Sequence, residues 1–426
     1  MTEKFHEHNG MNLHFIQTKK FKTVTFSIKC CAPLDKNTVT NRALLAYLLE
    51  KGTINYPSEK QLMLKLDELY GAIFYIDVAK KGNQHILTFH FEVANEKYIN
   101  NETTIIEESL QLLQEIIFQP NIVGGTFPEK VVKREKATLK NKIGSIVDDK
   151  MAYANRRLID EMYRGENFST HTYGYEKDLE AITPSSIYDA YQEMIHTNQF
   201  DIYVVGDFDT NEMEQKFSSI FQHVQESNEI NRVDVERKTV TEVNEVVETE
   251  PIQQAKLHIG YRTNCTYKDD DYAALQLFNG LFGAFPNSKL FVNVREKNSL
   301  AYYAASRIES HQGLLLVFSG IEAKNYELAR DIINEQMKAM QQGEFTDDEI
   351  QATKELIISQ LKETLDSARG TIELFYQQVI GERKLSPQDL MDEINEVTKE
   401  DIIRVANNIQ LDTVYLLTSE GGAADE

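Results

Sequence analysis

The order of local signals in this chain runs through twice. Near the middle, Ile182-Thr183-Pro184-Ser185-Ser186-Ile187 opens a helical stretch to Ile195, followed by the strand-like Ile202-Tyr203-Val204-Val205. Near the end, Val397-Thr398-Lys399-Glu400-Asp401-Ile402 opens a helical stretch to Ile409, followed by Val414-Tyr415-Leu416-Leu417. Thr183 reads as an N-cap with Pro184 at the first helical position, and Thr398 with Asp401 as a capping-box variant. The beginnings also match. Thr25-Phe26-Ser27-Ile28 leads into an apolar helical stretch from Ala43 to Leu49, then Gly52 and a second helix from Ser58. Leu257-His258-Ile259-Gly260 leads into Tyr272 to Phe282, then Gly283 and a stretch from Ser288. Identity is weak but the order is kept, which implies one supersecondary unit used twice.

Between the halves, residues 222–250 are polar, acidic and poor in aromatics, as a linker would be. The spaced Val233, Val235, Val240 and Val243 also suit an edge strand. The expected division is an N-terminal half at 1–221, a linker at 222–250 and a C-terminal half at 251–426. Inside each half, strand patterns such as Ile86 to Phe91 and Leu314 to Phe318 alternate with amphipathic helices. Leu110, Leu113, Ile116 and Ile117 share one helical face, and Thr346 with Glu349 and Ser386 with Pro387 mark helix starts. The expected class is α+β: two homologous half-domains, each a mostly antiparallel sheet with helices on one face.

Composition removes several functions. Lys+Arg total 45 against Asp+Glu 67, a net charge of −22 over 426 residues. Nucleic-acid binding needs clustered cations, and an anionic membrane surface would repel such a chain. Apolar runs such as Leu314 to Phe318 are far too short to cross a bilayer, and the first residues carry no apolar signal-type run. Three cysteines, with Cys30 and Cys31 adjacent, make no disulfide framework; on a strand they read as core filling. The expected setting is the cytoplasm.

Catalytic patterns are missing. The ten histidines include no H-E-x-x-H or H-x-x-E-H, and no C-x-x-C exists for structural zinc. His6 and His8 form an H-x-H near a frayed terminus, while His85 and His90, an odd number apart, face opposite ways if on one strand. There is no G-x-S-x-G, P-loop or G-x-G-x-x-G. Gly124-Gly125 reads as a turn, and Asp269-Asp270-Asp271 and Asp347-Asp348 as helix starts favoured by the dipole.

One segment is more specific: Ser288-Lys289-Leu290-Phe291-Val292-Asn293-Val294-Arg295-Glu296-Lys297-Asn298-Ser299-Leu300-Ala301-Tyr302. It resembles the second-half signature L-F-x-x-[LIV]-R-E-[KE]-x-[GS]-L-[AG]-Y of the pitrilysin/insulinase family of zinc peptidases. Leu49-Glu50-Lys51-Gly52-Thr53 resembles the segment after that family's zinc helix, and His171-Thr172-Tyr173-Gly174 its H-P-[LY]-G motif. Val204-Val205-Gly206-Asp207-Phe208-Asp209 resembles the strand that closes its first half. The resemblance covers most of the chain and implies the same duplicated architecture. It also implies that Arg295 and Tyr302 contact substrate backbone opposite a zinc site.

The chain departs from the family where zinc is held. The H-x-x-E-H positions, 43 to 47, read Ala43-Leu44-Leu45-Ala46-Tyr47, so both histidines and the general base are replaced. The further zinc-ligating glutamate falls near Asn141-Lys142-Ile143, where Lys142 is a poor metal neighbour. Without ligands no zinc-bound water is activated, and without the base none loses its proton. The resemblance therefore implies no catalytic residue, metal ligand or cofactor in this chain. It implies instead a non-catalytic subunit of a heteromeric zinc peptidase acting on unfolded peptides. A homologous partner bearing H-x-x-E-H would hold the zinc, and pairing with a second copy of this chain is an alternative assembly. A second reading is a peptide-binding or structural scaffold with no role in proteolysis. For the two residues themselves, the purely structural alternative is that Arg295 pairs with a neighbouring carboxylate on its helix and Tyr302 packs in the core. A self-sufficient peptidase using other residues is the least favoured.

Overall fold

The computed structural model describes residues 3–99, 104–222 and 235–420. They form two α+β units, each built on one sheet. In the first unit the strands are β1 (Glu3–His8), β2 (Met11–Gln17), β3 (Thr23–Pro33), β4 (Ile73–Lys81), β5 (Gln84–Ala94) and β6 (Gln199–Gly206). Their order is β1-β2-β6-β3-β5-β4, parallel only between β2 and β6. The second unit has β7 (Asn244–Thr249), β8 (Ala255–Arg262), β9 (Ala301–Glu309), β10 (Leu314–Ile321) and β11 (Gln410–Thr418). Their order is β7-β11-β8-β10-β9, parallel only between β7 and β11. Setting β2, β6, β3, β5 and β4 against β7, β11, β8, β10 and β9 makes the two orders coincide. The duplication is therefore topological, and β1 is an addition to the first sheet.

Strand alternation builds each core. Val24, Phe26, Ile28 and Cys30 of β3 pack with Leu110, Leu113 and Ile116 of the helix Ile105–Phe118. Ser27, Lys29 and Cys31 of β3 point to the opposite face, also buried. Cys30 and Cys31 thus belong to different layers, and burial pushes the Cys30 thiol well up, leaving it unreactive. In the second unit Leu257, Ile259 and Tyr261 of β8 enter the core, leaving His258, Gly260 and Arg262 on the other face. The expected helix starts are all realised: Thr183, Thr346, Ser386 and Thr398 each close a reciprocal capping box.

The units do not coincide with the sequence halves. β7 lies inside the stretch read as linker, where Val246 and Val247 pair along β11; Val233 lies outside the described residues. Ile146–Ser169 belongs with the second unit, and Asp366–Glu373 with the first. The helix Lys150–Met162 covers the second face of its sheet through Ala154, Leu158 and Met162, at intervals of four. A Cβ at Gly260 would stand 2.6 Å from Met162 Sδ, so any larger residue there would oblige the methionine side chain to shift. Arg262 secures it, donating to Met162 O at 3.0 Å, Glu166 Oε1 at 3.1 Å and Asp412 Oδ2 at 2.6 Å. In the first unit the fully buried Lys29 donates to Glu373, which also pairs with Lys81 at 3.1 Å. Helices on one face of each sheet is thus an incomplete description of the second sheet. The N-terminal His6 and His8 lie on a paired strand and not on a frayed end, with His6 3.4 Å from Glu214. Among the described residues no helix is long and apolar enough to cross a membrane.

Removing one partner of a buried ion pair leaves the other charge uncompensated. Glu373→Gln should cost about 3 kcal/mol in urea unfolding, and adding Lys29→Met should recover part of that loss. Burial holds His90 down to about 4 and His85 and His258 to about 3, so they stay neutral when folded and take up protons when unfolded. Stability should therefore fall as pH drops from about 6.5 toward 4. His14 works in the opposite sense above that window, because Asp201 and Glu3 outweigh its burial and raise it. Denaturation midpoints measured across this range should show a smaller acid loss for His90→Phe than for the wild-type chain.

Candidate functional site

The positions that the resemblance sets against the zinc motif, 43 to 47, lie on the helix Val39–Leu49. Ala43 and Ala46 are buried in the core and offer no lone pair; Tyr47 is half-buried. Burial first, then the nearby Tyr173, Glu50, Glu135 and Asp77, push the Tyr47 hydroxyl up to about 12. Near neutral pH it is a neutral phenol and a poor ligand. Asn141 and Lys142, where the family's further ligand was expected, are exposed, with the Lys142 ammonium 5.2 Å from the Tyr173 ring centroid. The buried face of the helix Glu129–Gly144 instead presents Val132, Glu135 and Leu139. Glu135 is thus a carboxylate that this helix brings near Tyr47, at a position the motif alignment missed. Among the described residues no group of three or more His, Cys, Asp or Glu could hold a metal ion. These residues do not fit zinc.

The other motifs near this helix do structural work. Gly52, at φ 147°, lies where a Cβ would meet Tyr56 O at 2.7 Å, and Thr53 Oγ1 donates to buried Glu115 at 2.5 Å. In His171-Thr172-Tyr173-Gly174, Thr172 O accepts from His85 Nε2 at 2.9 Å, and a Cβ on Gly174 would overlap Thr40. Asp209, after the strand that closes the first half, caps the helix Thr210–Ile220.

Arg295 and Tyr302 meet at one cleft of about 530 Å³ in the second unit. Arg295 sits on a wide helical turn, Phe291–Lys297. Its guanidinium lies 4.6 Å over the Phe291 ring and 3.9 Å from Glu296, with 43% of the side chain exposed. That stacking fixes the guanidinium plane and leaves N–H groups at its edge for an acceptor. The turn ends at Ser299, whose φ of 51° is left-handed. Its N–H donates to Arg295 O at 3.1 Å, and Leu300 N–H reaches back to Val294 O. The chain then enters β9, the edge strand, with Leu300 and Ala301 buried.

Tyr302 falls in a bulge. Ile321 pairs with Ala301 and Gly320 with Tyr303, so Tyr302 faces no residue of β10. It is 79% exposed, the most exposed large apolar side chain among the described residues. Packing of Tyr302 in the core, one of the two expectations, is thereby corrected: the bulge turns the ring outward. The cleft is completed by Gln253 and Gln254, just before β8, Gly320 on β10 and Glu322 just after it, none of which any motif marked. Together the walls offer N–H and O–H donors suited to carbonyl oxygens. A left-handed serine carries a steric cost that glycine lacks, so Ser299→Gly should raise the thermal midpoint, by about 1 kcal/mol of stability, and Ser299→Val should lower it.

The family model described as "Peptidase M16 inactive domain" matches residues 181–357. The chain is 46% identical over 421 residues to a Bacillus subtilis protein named "Probable inactive metalloprotease YmfF", covering 98% of each. It is 24% identical over 65% of its length to the Bacillus subtilis "Antilisterial bacteriocin subtilosin biosynthesis protein AlbE", covering 69% of that protein. A solved structure of a conserved protein from Enterococcus faecalis V583 matches with a TM-score of 0.91 and 34% identity, over 98% of this chain and 99% of that one. The chain belongs to the M16 family, the pitrilysin/insulinase metallopeptidases, and is one of its inactive homologues.

Proposed function

We propose that this chain is the non-catalytic subunit of a heteromeric zinc peptidase. In that role Arg295 and Tyr302 bind the backbone of an unfolded peptide opposite the zinc site of a partner bearing H-x-x-E-H. The observation that carries this reading is the exposure of Tyr302, 79% open to solvent at the mouth of the Arg295 cleft. An aromatic turned outward by a bulge adds nothing to a core, but its hydroxyl reaches an incoming carbonyl. Arg295 supports the same role, because its ion pair with Glu296 is long at 3.9 Å. Donors aimed at a carbonyl on which charge develops are worth on the order of 3 kcal/mol each. The resemblance to a protein named for the biosynthesis of a bacteriocin supports a peptide-directed role. We place the assembly in the cytoplasm, in keeping with the chain's acidic balance.

The partner would be identified by recovering tagged chain from its native cell and sequencing what co-purifies. With that partner, Arg295→Ala and Tyr302→Phe should each lower kcat by roughly a hundredfold while co-purification is retained. An unchanged kcat in both variants would show that the pair is inherited and idle.

A further inference from the structure

The geometry points to Gln254 as a further peptide-binding residue of this cleft, its carboxamide oriented by Lys256 to donate to a backbone carbonyl. This rests on the reading of the cleft as a peptide site. Gln254 lies outside the Ser288 to Tyr302 segment, two residues before Lys256, and reaches the cleft because β8 pairs with β10. Its side chain lies across Gly320: a Cβ there would stand 2.7 Å from Gln254 Oε1 and 2.6 Å from Tyr303 Cε1. The missing side chain at Gly320 is what makes room for the carboxamide.

Lys256 settles which end of that carboxamide faces out. Its Nζ lies 2.7 Å from Gln254 Oε1 and 5.6 Å from the Tyr303 ring centroid. An ammonium has donors only, so it must meet the oxygen. Flipping the amide would set NH2 against NH3+. The Nε2 end has no protein acceptor among the described residues, and Gln254 shares the cleft wall with Arg295 and Tyr302. Two N–H bonds with no acceptor, on a wall that already carries a guanidinium and a phenol, are complementary to the carbonyls of an extended chain. They would read backbone and not side chain, which suits a site taking peptides of varied sequence.

The test is binding of the full-length chain to a fluorescein-labelled, unstructured polypeptide of mixed sequence, followed by anisotropy, with thermal midpoints recorded for every variant. Q254M keeps the volume and removes the donor, and should weaken binding about fivefold. Q254E keeps the contact with Lys256 and turns a carboxylate toward the peptide carbonyl, and should weaken it about tenfold. K256M frees the amide to turn and should give a smaller loss, with midpoints near that of the wild type throughout. R295A serves as the reference for the cleft itself. If R295A weakens binding while Q254M and Q254E bind as the wild type does, the role of Gln254 is overturned and the peptide cleft stands. If Q254E weakens binding and R295A does not, Gln254 stands and the part given to Arg295 falls. If the wild-type chain does not retain the polypeptide, both are overturned.

Discussion

A buried cation on the second face of each sheet decides which segment of chain covers it. On β8, Arg262 ties the end of the helix Lys150–Met162 to Glu166 and Asp412. On β3, which holds the corresponding place in the other sheet, Lys29 is held by Glu373. Burial works against the charge on Glu373, yet Lys29 and Lys81 keep its carboxyl down to about 2. A charge taken out of water is tolerable only with its partner, so each cation specifies one arriving segment among many apolar candidates. Both segments come from the other sequence half, which is why the structural units and the halves differ.

That scaffold survives the loss of its chemistry because the two depend on different residues. Ala43 and Ala46 stand where the resemblance would set ligand and base, and both are buried core side chains of the helix Val39–Leu49. The second sheet carries different features. There a left-handed turn at Ser299 and a bulge at Tyr302 still spend backbone strain and exposed aromatic surface on a cleft.

Parts of this were legible from residues alone. The cap signals at Thr183 and Thr398 fixed where matching helices begin, and Cys30 and Cys31 read as core filling on a strand, where both are buried. The Arg295 to Tyr302 spacing marked one wall of the cleft, because its residues are close in sequence. Glu135 was missed because the alignment followed a motif and not the helical face that packs on Val39–Leu49. Gln254 was missed because it is distant in sequence from Tyr302 and carries no motif.

By itself the sequence determined the duplicated α+β architecture, the residues Ala43, Ala46 and Tyr47 in place of a zinc motif, and the seven-residue spacing of Arg295 and Tyr302. These are properties of residue type and local period, which a chain carries wherever it goes. Only tertiary structure decided that Ile146–Ser169 and Asp366–Glu373 side with the other half's sheet. It alone decided too that Tyr302 points to solvent and that Gln254 joins it at the cleft. Those outcomes turn on strand register, on a single extra residue in β9 and on the room left by Gly260 and Gly320. Such close approaches exist only once distant strands have paired.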